Sequence, residues 1–211
     1  MTMRLLLIRH GASHHSAAGL IAMPRDCAGL TDAGLAQVGA LARRLAVTGE
    51  LADTATLLTS PVRRARETAD LLRPAFPAAT VARQPGLMEL LPGAADGLTL
   101  ARYRAAYGDW DPVARPARPF APGGESWQDF LARARATLDT LAARHEGATV
   151  VAVTHAGFIV ATLLVAFDIP RPGTGAWLAP AHTGLTEWRV ADGRWELARY
   201  NDTAHLAAST A

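Results

Sequence analysis

The stretch Leu5-Leu6-Leu7-Ile8-Arg9-His10-Gly11 decides the fold. Four large apolar residues in succession, a few positions from the N-terminus, read as a strand buried on both faces. That is the pattern of a central strand in a parallel sheet. The run then ends abruptly in a cation, an imidazole and a glycine. In open α/β sheets the ligand crevice lies outside the carboxyl ends of the strands, so Arg9-His10-Gly11 would suit an anion. On this tripeptide alone the plainer reading is preferred: a strand end turned polar because it reaches water.

A second buried run, Ala148-Thr149-Val150-Val151-Ala152-Val153, ends in the same manner, at Thr154-His155-Ala156-Gly157. Parallel strands of one sheet place their carboxyl ends on one edge, so the two histidines could share a crevice. Between the two runs, Thr56–Thr59 reads as a short strand. Ser60-Pro61 follows as a helix start, with a capping side chain and proline at the first helical position. That helix is expected to reach about Arg73 and brings Arg63, Arg64 and Arg66 into or next to its first turn. A helix N-terminus already carries partial positive charge. Cations there make more sense beside a bound anion, which favours a functional reading for Arg64 and a solvated face for Arg63 and Arg66.

Residues 12–29 read as a long loop rich in Gly, Ser, His and Pro, of the kind that carries function. Thr31 caps an expected helix over 32–47 with Leu35, Val38, Leu41 and Leu45 at helical spacing. A weaker strand falls at Thr80–Arg83, then an irregular stretch with Glu89 and Asp96-Gly97, a short helix over Thr99–Tyr107 and a Pro/Gly-rich loop over 111–124. Ser126 caps a long helix to about His145. An apolar helix follows His155 to about Phe167. Gly184–Val190 and Arg194–Tyr200 flank Asp192-Gly193 as a β-hairpin. Strands alternating with helices give the expectation of a single domain over 1–211. Its class is α/β, a three-layer α/β/α sandwich with a mostly parallel central sheet and a C-terminal hairpin at the edge.

Composition narrows the function. A chain of 211 residues, 50% hydrophobic and 19% charged, builds an ordinary core without metal or disulfide support. No apolar run approaches the ~18 residues of a membrane span. The first strand is not followed by a small-residue cleavage site, so a signal peptide is not expected. The single cysteine, Cys27, excludes an intramolecular disulfide and suits a cytoplasmic location. A net charge of +2 argues against nucleic acid as partner. All 21 cations are arginine, which removes Schiff-base and P-loop lysine chemistry.

Two imidazoles and two arginines around one spot suit a phosphoryl group. Guanidinium N–H pairs bind phosphate oxygens with roughly 1.5–3 kcal/mol per charge-assisted bond, and a neutral histidine can carry the group covalently. Magnesium would need carboxylates near the phosphate. The strand ends supply none, so neither a metal nor another cofactor is expected.

The ordered set Arg9-His10-Gly11, Leu30-Thr31-x-x-Gly34-x-x-Gln37, Ser60-Pro61-x-x-Arg64-Ala65, Glu89, Gly123-Gly124-Glu125-Ser126 and His155-Ala156-Gly157 resembles the histidine phosphatase superfamily, the phosphoglycerate-mutase-like group. The closing Asn201-Asp202-x-x-His205-Leu206 is similar to the small bacterial phosphatases of that group. The resemblance covers essentially the whole chain. It implies His10 as the nucleophile that forms a phosphohistidine. It implies Arg9, Arg64 and His155 around the transferring oxygens, with the Ala156 amide assisting, and Glu89 as general acid and then base. Ser13 keeps a hydroxyl position of the family. Ser16 stands where many members have asparagine, with a shorter reach to phosphate, and Ala12 replaces a common acidic residue.

His14 and His15 read as loop histidines near the entrance, with a substrate-binding role open. His145, His182 and His205 read as structural; Met23, Cys27 and the five tryptophans read as packing residues. The function implied is a metal-independent phosphomonoesterase acting on a small-molecule phosphate ester, as a monomer or homodimer. One alternative is a phosphoglycerate mutase using the same phosphohistidine. It is disfavoured because residues 90–122 lack the longer basic insertion of classical mutases. The other alternative is a phospho-ligand-binding protein without catalysis. Arg102, Arg104, Arg115 and Arg118 are candidates to meet a second anionic group on the substrate, or to be solvated surface.

Overall fold

A computed structural model describes residues 2–21, 27–169 and 178–207. The Leu5–Ile8 run lies in β1 (Met3–Arg9), and all four of its apolar side chains are fully buried. Alternation along the strand sends Leu5 and Leu7 into one core and Leu6 and Ile8 into the other. The second run forms β4 (Thr149–Thr154) and divides in the same way, Val150 and Ala152 against Val151 and Val153. With β2 (Thr54–Thr59), β3 (Thr80–Arg83), β5 (Leu185–Ala191) and β6 (Arg194–Asp202), these make one sheet in the order β3-β2-β4-β1-β5-β6. The first four strands of that order are parallel, and β5 and β6 run antiparallel at one edge. Asp192 and Gly193 turn the hairpin with φ of 51° and 73°, the positive values that a two-residue turn matching strand twist requires.

Helices close both faces. On one side α2 (Asp32–Thr48) and α3 (Arg63–Leu72) bury Val38, Leu41, Leu45, Ala65, Ala69 and Leu72. On the other, α5 (Trp127–Arg144) and α6 (Ala156–Ala166) bury Phe130, Leu138, Leu141, Phe158 and Ile159. The caps at Thr31 and Ser126 form as expected, Ser126 in a reciprocal capping box with Asp129. A short α4 (Leu100–Tyr107) is capped by Thr99. The architecture is the expected three-layer α/β/α sandwich.

Two local expectations need correction. The 12–29 stretch holds α1 (His14–Ala18), capped by the Ser13 hydroxyl and closed by left-handed Gly19. Five residues are too few to show periodicity, so composition hid the helix. The helix after Ser60-Pro61 starts later than expected, with Val62 at the cap position and no side-chain cap bond. The Ser60 hydroxyl accepts from the Val62 amide at 3.4 Å and is engaged by His155 at 2.8 Å. Residues 22–26 with Met23, and 170–177 with Trp177, lie outside the described residues.

Candidate active site

The strand register builds the site. Ile8 pairs with Val153 and Arg9 with Thr154 across β1 and β4, so His10 and His155 emerge side by side one residue later. Their ring centroids are 5.2 Å apart at 63°. Arg64, buried in the first turn of α3, bridges them: its Nε donates to His10 Nε2 at 3.0 Å and its Nη2 to His155 Nδ1 at 3.1 Å.

Guanidinium can only donate, so this bridge assigns both tautomers. His10 carries its proton on Nδ1 and donates it to the Gly11 carbonyl at 2.7 Å, which leaves the Nε2 lone pair to accept from Arg64. His155 carries its proton on Nε2 and donates it to the Ser60 hydroxyl at 2.8 Å. Burial, followed by the Arg64 charge, pushes the pKa of both rings well below the usual histidine value. Both are therefore neutral at pH 7, the state a nucleophile needs.

The motif Leu30-Thr31-x-x-Gly34-x-x-Gln37 grips the turn after the nucleophile. Thr31 N–H and hydroxyl donate to the Ala12 carbonyl, and the Ala12 amide donates to Gln37 Oε1 at 2.9 Å. The Gly34 backbone packs so closely on the Ala12 carbonyl that a side chain there would collide with it. The Gly11 amide is tied to Thr68 Oγ1 at 3.1 Å. Groups of α2, its Thr31 cap and α3 thus fix the turn after His10, which ring packing alone would not do.

Arg9 is steered by the segment leading into β5. Its Nη1 donates to the Pro180 carbonyl at 2.6 Å, while its Nε is buried with no hydrogen-bond partner in the protein. Burial lowers its pKa, partly offset by the nearby Glu89. Glu89 lines the same cavity of about 290 Å³ as Arg9, His10, Ser13, Ser16, Arg64 and Ala156. Its carboxylate accepts from the Gly157 amide at 2.8 Å and the Leu90 amide at 3.1 Å. A Cβ at 157 would push that carboxylate from its place.

The segment around Glu89 is held by Arg133, which donates to the carbonyls of Gly86, Met88 and Glu89 at 2.7, 2.9 and 3.1 Å. The same guanidinium forms a two-pronged pair with Glu125, 2.7 Å on each side. Glu125 also accepts from the Leu91 amide. This gives the Gly123–Ser126 motif a physical role as the anchor of the Glu89 segment. Arg133 itself lacked any sequence signal, since one arginine on an amphipathic helix looks like solvated surface.

Seven of the eight expected site residues line this cavity, namely Arg9, His10, Ser13, Ser16, Arg64, Glu89 and Ala156, and the eighth, His155, contacts Arg64 without lining it. Ser13 Oγ and Ser16 Oγ are 3.0 Å apart. His15 is buried and lines the cavity, accepting from the Ala28 amide at 3.3 Å, whereas His14 is exposed. Arg63 pairs with Glu67 on the surface, as a solvated residue would. Cys27 is buried beside Val62, and its sulfur receives Arg64 Nη1 at 3.6 Å.

His182, read from sequence as structural, stands beside the nucleophile candidate. Its ring stands 5.6 Å from that of His10, and its Nε2 is buried with no hydrogen-bond partner in the protein. Burial, then Arg9 and Arg64, lower its pKa to about 4. The C-terminal motif holds it there. Asn201 Oδ1 accepts from the Ala181 amide at 2.7 Å, and His205 Nε2 and the Thr183 hydroxyl lie 2.8 Å apart. Thr183 sits at φ 59°, a left-handed conformation that costs a β-branched residue about 1–3 kcal/mol. Its amide bond to the Arg9 carbonyl helps hold it there. The sequence signal was weak because the link between positions 182 and 10 exists only through the antiparallel pairing of β5 with β1.

Comparison with known proteins gives the family. The model of the histidine phosphatase superfamily (branch 1) matches residues 5–203. The bifunctional protein Rv2228c of Mycobacterium tuberculosis is 35% identical over 210 residues, covering 96% of this chain and 55% of that protein. The chain thus spans about half the length of the curated relatives it matches first. A metal-independent phosphoserine phosphatase of Arabidopsis thaliana is 27% identical, with 97% of this chain and 83% of that protein covered. Among solved structures, YhfR of Bacillus stearothermophilus superposes with a TM-score of 0.80 at 27% identity, covering 97% of this chain and 99% of the other. The chain belongs to the histidine phosphatase superfamily.

Proposed function

We propose that this domain is a metal-independent phosphomonoesterase that hydrolyses a small phosphate ester through a phosphohistidine on Nε2 of His10. The observation that carries the reading is the tautomer lock, Nδ1–H on the Gly11 carbonyl with Nε2 turned to Arg64. Arg64, Arg9 through its unpartnered Nε, and the hydroxyls of Ser13 and Ser16 would take the phosphoryl oxygens. So would the Ala156 amide at the start of α6. His155 would act through Arg64. Two guanidiniums this close to the imidazoles repel a metal cation and attract an oxyanion, which supports chemistry without a metal.

In the first step Arg64 turns its Nε–H from His10 Nε2 to a phosphoryl oxygen, and the freed Nε2 lone pair attacks phosphorus. A P–N bond forms, the P–O bond to the leaving group breaks, and the carboxylic proton of Glu89 passes to the leaving alcohol. In the second step water attacks the phosphohistidine. Its proton passes to the Glu89 carboxylate, the P–N bond breaks, and inorganic phosphate leaves. The compact 90–122 segment supports water over a bound alcohol as acceptor.

The test is turnover of phosphate esters in chelator, comparing wild type with His10→Ala, together with ³²P transfer to protein. The expected results are full activity in chelator, loss of turnover in the variant, and acid-labile label on wild type alone. Loss of activity in chelator, or turnover by the variant, would defeat the mechanism. Phosphate binding without turnover or label would leave a binding protein, and label returned to a second alcohol would make it a mutase.

A further inference from the structure

We infer that the leaving group of the physiological substrate is uncharged and apolar, of about one ring in size; this rests on the phosphomonoesterase reading above. The cavity divides into two parts. One part carries the phosphoryl-directed groups already described, and the rest of its lining is Leu20, Ile21, Leu90, Pro92 and Phe120, with the His15 ring beside them and its Nδ1 turned to the Ala28 amide. At about 290 Å³ it sits at the small end of ligand pockets, so little beyond a phosphoryl group and one compact organic group fits.

The apolar wall is built rather than incidental. Phe120 stacks on Tyr103 with centroids 4.3 Å apart and 12° between the planes, and Trp110 meets its edge at 5.0 Å. The Tyr103 hydroxyl donates to the Phe120 carbonyl at 2.6 Å. Ile21 is tied by its amide to the Leu98 carbonyl at 2.8 Å. A flat apolar surface held in place from behind binds an apolar group without having to be ordered first.

The arginines that the sequence offered for a second anion are directed elsewhere. Arg118 turns back onto its own loop and donates to the carbonyls of Asp109 and Tyr107. Arg104 pairs with Asp109 on the surface at 3.3 Å. Arg102 and Arg115 are exposed and do not line the cavity. Among the described residues, its only guanidiniums are Arg9 and Arg64, and its one acid is Glu89. A substrate carboxylate placed against Phe120 and Leu90 would lose its hydration, face Glu89 and gain no counter-charge from the described residues there.

The experiment compares 2-phenylethyl phosphate with O-phosphoserine, both primary alkyl esters. The ammonium and carboxylate of phosphoserine make its alkoxide the better leaving group, so a preference for the phenylethyl ester would run against intrinsic reactivity. The expected result is kcat/KM higher for the phenylethyl ester by on the order of 10–100-fold. In Phe120→Ser that ratio should collapse towards one, and in Ile21→Arg it should fall while phosphoserine gains. A wild-type preference for phosphoserine overturns the inference. So does an unchanged ratio in a Phe120→Ser protein whose near-ultraviolet circular dichroism reports a native fold. Should Phe120→Ser not fold, Ile21→Arg decides alone. His10→Ala separates the two ideas: its continued turnover would remove the phosphohistidine, yet the wild-type preference would still be read.

Discussion

Arg64 donates its Nε–H to Nε2 of His10 at 3.0 Å, the nitrogen that attacks phosphorus in the proposed reaction, and its Nη2 reaches His155 in the same plane of contacts. One side chain thereby aligns two imidazoles that arrive on different strands. Lysine would keep the charge but not the fork. Arg64→Lys should lower kcat by on the order of 10²–10³, the cost of losing a preorganised donor to developing charge. Steady-state rates within threefold of wild type would show that the bridge is dispensable.

Glu89 is read as the proton donor to the leaving group. Glu89→Gln should lose on the order of 10²–10⁴ in rate with alkyl phosphates, and far less with an activated aryl phosphate whose oxygen leaves unprotonated. The comparison is a leaving-group series with the variant. Equal losses across the series would assign Glu89 some other task.

Arg133 holds three carbonyls of the Glu89 segment and pairs with Glu125. Arg133→Met should reproduce the leaving-group pattern of Glu89→Gln in weaker form, because it acts by displacing that carboxylate. It should also destabilise the fold by up to about 3–5 kcal/mol, since Glu125 is left largely buried without its cation. Glu125→Gln, which leaves a neutral partner, should cost less. Denaturant midpoints and the alkyl-to-aryl rate ratio separate the two effects, and an unaltered ratio in a folded Arg133→Met protein would count against the clamp.

His10, His155 and His182 all have folded-state pKa values below that of an unfolded histidine. Between those values the unfolded chain binds more protons than the folded one, so their contribution to stability is intact above about pH 6.5 and declines as pH falls. For His182 the window runs from about 6.5 down to about 4. The thermal midpoint of wild type should fall through this range, and His182→Asn should flatten the fall. Since Nε2 of His182 stands by His10 without a protein partner, the same variant should weaken inhibition by inorganic phosphate. Identical pH slopes and identical phosphate inhibition in the two proteins would return His182 to the structural role read from sequence.

Much of the molecule follows from local chemistry. Leu5–Ile8 and Ala148–Val153 have no polar face, so each must be a strand covered by helices on both sides. The Thr31 and Ser126 caps, and the Asp192-Gly193 turn, are likewise decided by residues adjacent in the chain. With two strands parallel in one sheet, their ends at His10 and His155 fall on a common edge, which is why that part of the site was legible early.

Other features depended on pairings between distant residues. Ser60 reads as a helix cap, and besides the Val62 amide its hydroxyl serves His155, a partner 95 positions away. Arg133 resembles surface until α5 packs beside the Glu89 segment, and Arg118 resembles a substrate contact until its own loop folds back onto it. His182 reaches His10 only through β5 pairing against β1. A strand's burial is written in its own side chains. The partner of a polar group is set by which elements meet once hydrophobic burial has brought them together, and only the tertiary structure decided that.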